Sequence, residues 1–185
     1  MTNKEQLNIT IPALKRPTSK ALKKERDWIK SIESDSSPTA EVTLNLGTLL
    51  EQDEDFINGD EYAKRRQGLP MLGYQHARWL VENQEKFPAF MKLLGEMYID
   101  FPGTIVVDSD GYRYFPYLDR RGKRWYLHWY WTDFSLDRYG RIAVSSNVAV
   151  PSEAKTLEPS GTLGNLDPSE IEIVYKGVAY KLTKK

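Results

Sequence analysis

Hydrophobic and polar positions change period along the chain, and each change marks an element. Over residues 18–34, Leu22, Trp28, Ile29 and Ile32 make a partial stripe at helical spacing behind Thr18 and Ser19, either of which can cap a helix. Lys20, Lys23, Lys24, Arg26 and Lys30 fill the other positions, so a basic amphipathic helix with a solvated outer face is expected there. Val42, Leu44 and Leu46 alternate before Gly47, which predicts a short strand. From Tyr74 to Lys86 helical spacing returns in Ala77, Leu80, Val81 and Gln84. Phe87-Pro88 ends it, because a residue before proline avoids the helical region. Pro88 can open a second helix with Phe90, Leu93, Leu94 and Met97 as its buried stripe. That helix offers only Lys92 to base edges, which argues against a helix-turn-helix DNA reader.

After Phe101-Pro102-Gly103 the period becomes that of strands. Thr104-Ile105-Val106-Val107 is β-branched, and two Asp-x-x-Gly turns follow, Asp108–Gly111 and Asp119–Gly122. Each suits a three-residue loop with glycine in the left-handed position. The first turn then sets Val107 beside Arg113 and Ile105 beside Phe115. The second sets Asp119 opposite Lys123, which pairs Tyr117 with Trp125, Phe115 with Leu127 and Arg113 with Trp129. In this register the odd positions from 113 to 131 look inward. Trp125, Leu127, Trp129, Trp131, Phe115 and Tyr117 would pack on Leu80, Val81, Phe90, Leu93 and Leu94. Arg113 would be core-facing, with Asp108 or Asp110 as its partner. A strand over 141–145, with Ile142 and Val144 inward, would complete the sheet. A hairpin of 171–175 with 178–182 turns about Lys176-Gly177.

The expected fold is therefore α+β: an antiparallel β-meander of three to five strands with two or three α-helices packed on one face. The expected division is a mobile segment at 1–17, the basic helix at 18–34, and an acidic linker with a possible short strand at 35–61. The helix pair and meander form a core domain at 62–148, followed by a Pro/Gly-rich linker at 149–170 and the hairpin at 171–185.

Composition narrows the chemistry. The chain has 185 residues, no cysteine, two histidines and 26 residues of each charge sign. Disulfide scaffolds, thiol nucleophiles and cysteine-held zinc are excluded, and a multi-histidine metal centre is not expected. Zero net charge argues against attachment to DNA or an anionic membrane by global charge. No apolar run reaches the ~20 residues of a membrane span, and no leader pattern is visible, so a cytoplasmic location is expected. The charge is segregated, however: residues 1–34 carry +4 and residues 35–61 carry −8.

The candidate site is the face opposite the expected core. Tyr112, Tyr114, Tyr126, His128 and Tyr130 line it, with Arg124 beside them and Arg120 and Arg121 at the hairpin tip. Such a surface fits a non-enzymatic binding or adaptor module, with protein as the favoured partner, because Tyr and Arg concentrate at interfaces. Single-stranded nucleic acid or a glycan stacked on the tyrosines is the alternative, and a covering second layer would make the face core instead. A small hydrolase using His128 with Asp108 or Asp110 is the reading from another class. His76 reads as a surface or boundary residue. Asp108-Ser109-Asp110-Gly111 reads as a plain turn, since an EF-hand aligned on it would place Tyr117 where an acid is required. Neither a metal nor a cofactor is expected.

Overall fold

The computed structural model describes residues 7–133, 135–146, 172–175 and 178–181. Residues 1–148 cluster as one unit and 149–185 as another. The first half of the chain supplies β1 (Thr10–Ile11), α1 (Ser19–Glu25), β2 (Ile29–Asp35), β3 (Val42–Gly47), β4 (Phe56–Ile57), α2 (Gly59–Arg65), α3 (Tyr74–Asn83) and α4 (Pro88–Lys92). Then come β5 (Tyr98–Asp100), β6 (Thr104–Asp108), β7 (Arg113–Arg121), β8 (Arg124–Trp131), β9 (Leu136–Asp137) and β10 (Gly140–Ser145). In the second unit β11 (Glu172–Tyr175) pairs antiparallel with β12 (Val178–Lys181). The linker expected at 149–170 lies outside the described residues.

Helices and a largely antiparallel sheet place the chain in the α+β class, but the sheet is larger than a meander. Eight strands run in the order β1-β3-β10-β5-β7-β6-β2, with β8 on the other edge of β7. Only β10 and β5 run parallel. The last segment of the meander takes part through β10, which pairs with β3 as well.

The sheet's unusual feature is that one edge of β7 serves two strands. Ile99 and Asp100 of β5 pair with Leu118 and Tyr117, while Val106 and Val107 of β6 pair with Tyr114 and Arg113. Phe101-Pro102-Gly103 is a three-residue insertion in what is otherwise one continuous strand. An odd insertion flips the alternation, so Asp100 and Ile105 look to the same side. The Phe101 N–H donates to Pro116 O at 2.8 Å, and the Gly103 N–H to Leu72 O at 2.9 Å.

Both faces carry core. On one, Leu118, Ile99, Phe101 and Trp125 meet Leu80 and Ala77 of α3 and Phe90 of α4. On the other, Phe115, Ile105 and Ile142 meet Tyr62 of α2, Ile57 and Leu136, with the rings of Tyr62 and Phe115 stacked at 5.7 Å. A third cluster, Leu22, Ile29, Tyr74 and Val106, seats α1.

Several expectations are corrected by this arrangement. The Asp108 turn holds as read: Gly111 has φ +89°, and the Asp108 carboxylate accepts from the Asp110 and Tyr112 N–H groups at 3.0 and 2.9 Å. The second hairpin does not. Arg121 pairs with Arg124, leaving a two-residue loop with Gly122 at φ +65°, so Tyr117 pairs with His128 and Phe115 with Tyr130. The odd positions of β8 look toward α3 and α4; those of β7 look to the opposite face, where Phe115 meets α2. The expected register gathered Phe115, Leu127, Ile105 and Val107 on one face and left Leu118 on the other beside Arg124, which fails for a sheet dry on both sides. Arg113 is accordingly exposed and donates to Glu33 at 2.8 and 2.9 Å, not to Asp108 or Asp110.

The basic helix stops at Glu25. Thr18 caps it by accepting from the Ala21 N–H, and the chain turns extended at Arg26. Ile29 to Asp35 is a strand because β6 needs a partner on its outer edge, and Ile29 and Ile32 are β-branched. In the segment expected to be mobile, Ile9 and Ile11 are fully buried, with Thr10 and Ile11 paired to β3. The acidic stretch is fastened too: Arg65 reaches Glu61 and Glu54 and donates to Leu49 O.

β8 is an edge strand, and a side chain closes its edge at the buried end. Gln84, just past α3, accepts from the Trp125 N–H at 2.8 Å and donates to Trp125 O at 3.3 Å. Gln84→Ala should leave both backbone groups buried and unpaired, lowering stability by about 2–4 kcal/mol in denaturant unfolding. Lys86→Ala, two residues on and exposed, should change it by a few tenths.

Candidate functional site

The observed register divides the eight candidate residues between the two faces. Arg121, Arg124, Tyr126, His128 and Tyr130 share a face with Phe115, Tyr117 and Asp119. Tyr114 and Arg120 point to the helix side. Tyr112, in the β6–β7 turn, stacks on Trp131 at 6.1 Å and so joins Tyr114. At the hairpin tip the arginines have local partners. Arg121 lies over the Tyr126 ring at 5.5 Å, Arg124 pairs with Glu85 at 2.9 Å, and the Arg120 Nε donates to Gly122 O.

Two sites emerge instead of one. The first is a row of rings at the end of the sheet away from the tip. Trp131 and Tyr112 are 61% and 59% exposed, their ring planes within 20° of parallel. Behind them Tyr114 touches Trp28 at 4.8 Å, Trp28 meets Trp129 edge-on at 6.0 Å, and Trp129 stacks on Tyr74 at 5.7 Å. The row is fixed in place from below, since the Tyr114 hydroxyl donates to Asp108 at 2.9 Å. Beside it lies a shallow hollow whose charged residues are Lys30, Glu33, Asp108, Asp110, Arg113 and Asp133. Acids outnumber bases there, and Arg113 is already paired with Glu33. Sequence reading missed Trp28 because it was assigned to a helix, and Trp131 because its face was taken for core.

The second site is a cleft of about 170 Å³ on the opposite face, lined by Tyr98, Asp100, Tyr117, Asp119 and Tyr130. Three strands build it. β5 contributes Tyr98 and Asp100, β7 contributes Tyr117 and Asp119, and β8 contributes Tyr130. The rings stand at steep angles: Tyr98 to Tyr117 at 90° and 6.5 Å, Tyr117 to Tyr130 at 68° and 5.1 Å. His128 flanks Tyr117 at 5.5 Å. Asp100 is 3% exposed and accepts from the Tyr62 hydroxyl at 3.2 Å. Burial pushes its carboxyl up to about 8, Asp137 adds to the rise, and the Tyr62 hydrogen bond opposes it. Burial likewise raises the hydroxyls of Tyr98, Tyr117 and Tyr130 above the ordinary tyrosine range. Tyr98 is placed by Gly140, where an added Cβ would lie 2.7 Å from the Tyr98 hydroxyl oxygen and would collide with Leu136. The sequence signal for this site was a single acid inside the apolar run Tyr98-Ile99-Asp100-Phe101.

The structure does not bring His128 to Asp108 or Asp110. His128 sits opposite Tyr117, five residues along β7 from Tyr112, so the Asp108 turn is roughly 15 Å away along the strand. His76, expected near the surface, is fully buried at the start of α3. Its Nδ1 accepts from the Gly73 N–H at 3.2 Å, and burial brings its imidazole down to about 4 despite the nearby Asp35. It belongs to a polar seam in which Gln75 donates to Ser37 and Thr104 donates to Asp35, joining α3 to the segment after β2. Among the described residues no group of three or more His, Asp or Glu side chains is arranged to hold a metal ion, and no helix is long and apolar enough to cross a membrane. No family model, curated protein or solved structure matches the chain.

The state of Asp100 sets a pH dependence. Its folded value of about 8 lies above the ordinary 3.8, so the folded protein keeps a proton that the unfolded chain releases above about pH 4. Its contribution to stability is full below pH 4, declines as pH rises, and is lost beyond about 8. Asp100→Asn should therefore stabilise the protein at pH 9 relative to the parent and much less at pH 4, in thermal melts across that range. A separate check is Gly140→Ala, which should destabilise by ~1–3 kcal/mol through displaced Tyr98 and Leu136.

Proposed function

We propose that this chain is a non-enzymatic binding module that takes a protein partner on the aromatic row formed by Tyr112, Trp131, Tyr114 and Trp28. The observation carrying this reading is the stacked Tyr112–Trp131 pair, two large rings left more than half in water; Phe56 and Tyr139 are as exposed, but this pair is joined ring to ring and backed by Tyr114. Folding alone gives no reason to hold them there. Contiguous exposed apolar area backed by ordered rings is what an anchor pocket on a partner would bury. The acids around the adjoining hollow oppose a phosphate backbone, which favours protein over single-stranded nucleic acid.

The arginines and tyrosines of the hairpin tip were the other expected contact surface. Their charges are largely engaged within the chain, so they make a poorer anchor. A double variant, Tyr112→Ala with Trp131→Ala, tests the reading. Partner capture by the immobilised full chain should be lost while the unfolding midpoint stays within ~2 °C, because exposed side chains contribute little to stability. A midpoint lower by many degrees would mean that the rings are core. Retention of capture in a folded double variant would remove the row from the interface. Salt-sensitive binding of oligonucleotides to the parent chain would favour the nucleic-acid reading instead.

A further inference from the structure

We propose that the cleft on the other face is a receptor for an organic ammonium group, held among the rings of Tyr98, Tyr117 and Tyr130 and beside the carboxyl groups of Asp100 and Asp119. The lining carries two acids, three tyrosines and no base. An anion would find no positive side chain in the lining and would meet the acid Asp119 and the electron-rich ring faces. An uncharged apolar ligand would cover both carboxyl groups and offer neither a polar partner. A bare metal ion wants several oxygen ligands, and among the described residues no group of three or more His, Asp or Glu side chains is placed to hold one. An ammonium is suited to both parts of the site, because its charge is attracted by ring faces and by carboxylates together. The steep angles between Tyr98, Tyr117 and Tyr130 give a cation walls on more than one side.

Size limits the occupant to a head group. About 170 Å³ is below the ~300 Å³ at which sites for whole drug-sized ligands begin. Arg66 is engaged outside the lining, over the Tyr62 ring at 5.8 Å and donating to Pro102 O at 3.1 Å, and His128 flanks Tyr117 at 5.5 Å without lining the cleft. The cleft and the aromatic row are on opposite faces of the sheet, and either proposal can fail alone.

Occupancy should be linked to a proton. Asp100 faces the Tyr62 hydroxyl from α2, Tyr98 on its own strand, Tyr117 and Asp119 from β7, Tyr130 from β8 and Asp137 from β9; its β10 neighbour, Ile142, is uncharged. Burial keeps the empty site's Asp100 largely protonated at neutral pH. A cation in the cleft favours the carboxylate, so binding expels the proton, and affinity should rise with pH until it levels above about 8.

The test is a titration of the full chain with choline and with its neutral isostere 3,3-dimethylbutan-1-ol, followed by calorimetry and by tyrosine ring resonances. Choline should bind at least about tenfold more tightly than the isostere. Binding should weaken about tenfold in Asp100→Asn and lose its pH dependence, while thermal melts show that variant folded. Tyr130→Leu, at the mouth of the cleft, should weaken choline binding comparably and serves as an independent variant. A trimethyllysine peptide that binds more tightly than choline would identify a protein side chain as the source of the ammonium, and equal affinity a free amine; either upholds the receptor. Equal affinity for choline and the isostere, unchanged choline binding in both folded variants, or no binding at tens of millimolar near pH ~8.5 would overturn it.

Discussion

Phe101-Pro102-Gly103 is the constraint from which the rest of the sheet follows. Without these three residues β5 and β6 would form one strand with a single register against β7. With them, the pairing shifts by an odd number and the edge of β7 is shared. The outer side of β5 is then free to receive β10 in parallel, while the outer side of β6 receives β2. The break is held tightly: a side chain at Gly103 would place its Cβ 2.7 Å from Leu72 O, and Gly103 O accepts from the Ser36 N–H. Flipping the alternation also turns Asp100 to the face that carries Phe115 and Ile105, which is how a carboxyl comes to lie beneath three tyrosines.

A sheet with core on both sides has no wet face in its middle, and this decides where function can reside. Phe115 is covered by Tyr62 from α2, and Trp125 by Phe90 from α4. The two candidate surfaces lie toward the ends of β7 and β8: the ring row at one end, the cleft and the arginine-bearing tip toward the other. Gln84 seals the edge of β8 beside Trp125 by offering its amide in place of a neighbouring strand. The hairpin can therefore be an edge without leaving buried backbone groups unpaired.

Local signals were legible where local chemistry decides. The Asp108–Gly111 turn, the register it imposes on Val107 and Arg113, the helix break at Phe87-Pro88 and the alternation of Val42, Leu44 and Leu46 could all be read from short spans. What could not be read depended on distant partners. Ile29 and Ile32 fit a helical stripe as well as a strand, and only the open edge of β6 chooses between them. The Asp119–Gly122 turn resembles the first in sequence, yet it closes after Gly122-Lys123, because burying both Trp125 and Leu118 on the helix side requires the shifted pairing. Asp100 gave a weak signal, one acid in an apolar run. Its tyrosine neighbours come from positions 62, 98, 117 and 130, which no local pattern connects.

The two candidate surfaces share a physical signature of opposite kinds. At the ring row, apolar area is kept in water although a polar residue at 112 or 131 would cost the fold little. In the cleft, an ionisable group is kept out of water although an asparagine at 100 could accept from the Tyr62 hydroxyl without titrating. Each departs from what stability alone would select, and such departures concentrate where a chain must meet something else. The ring row lacks a covering surface, and the cleft lacks a positive charge. A protein partner answers the first and an ammonium head group the second. The requirements differ in chemistry because the shared edge of β7 has put aromatic side chains on both faces but a buried carboxyl, Asp100, beneath only one.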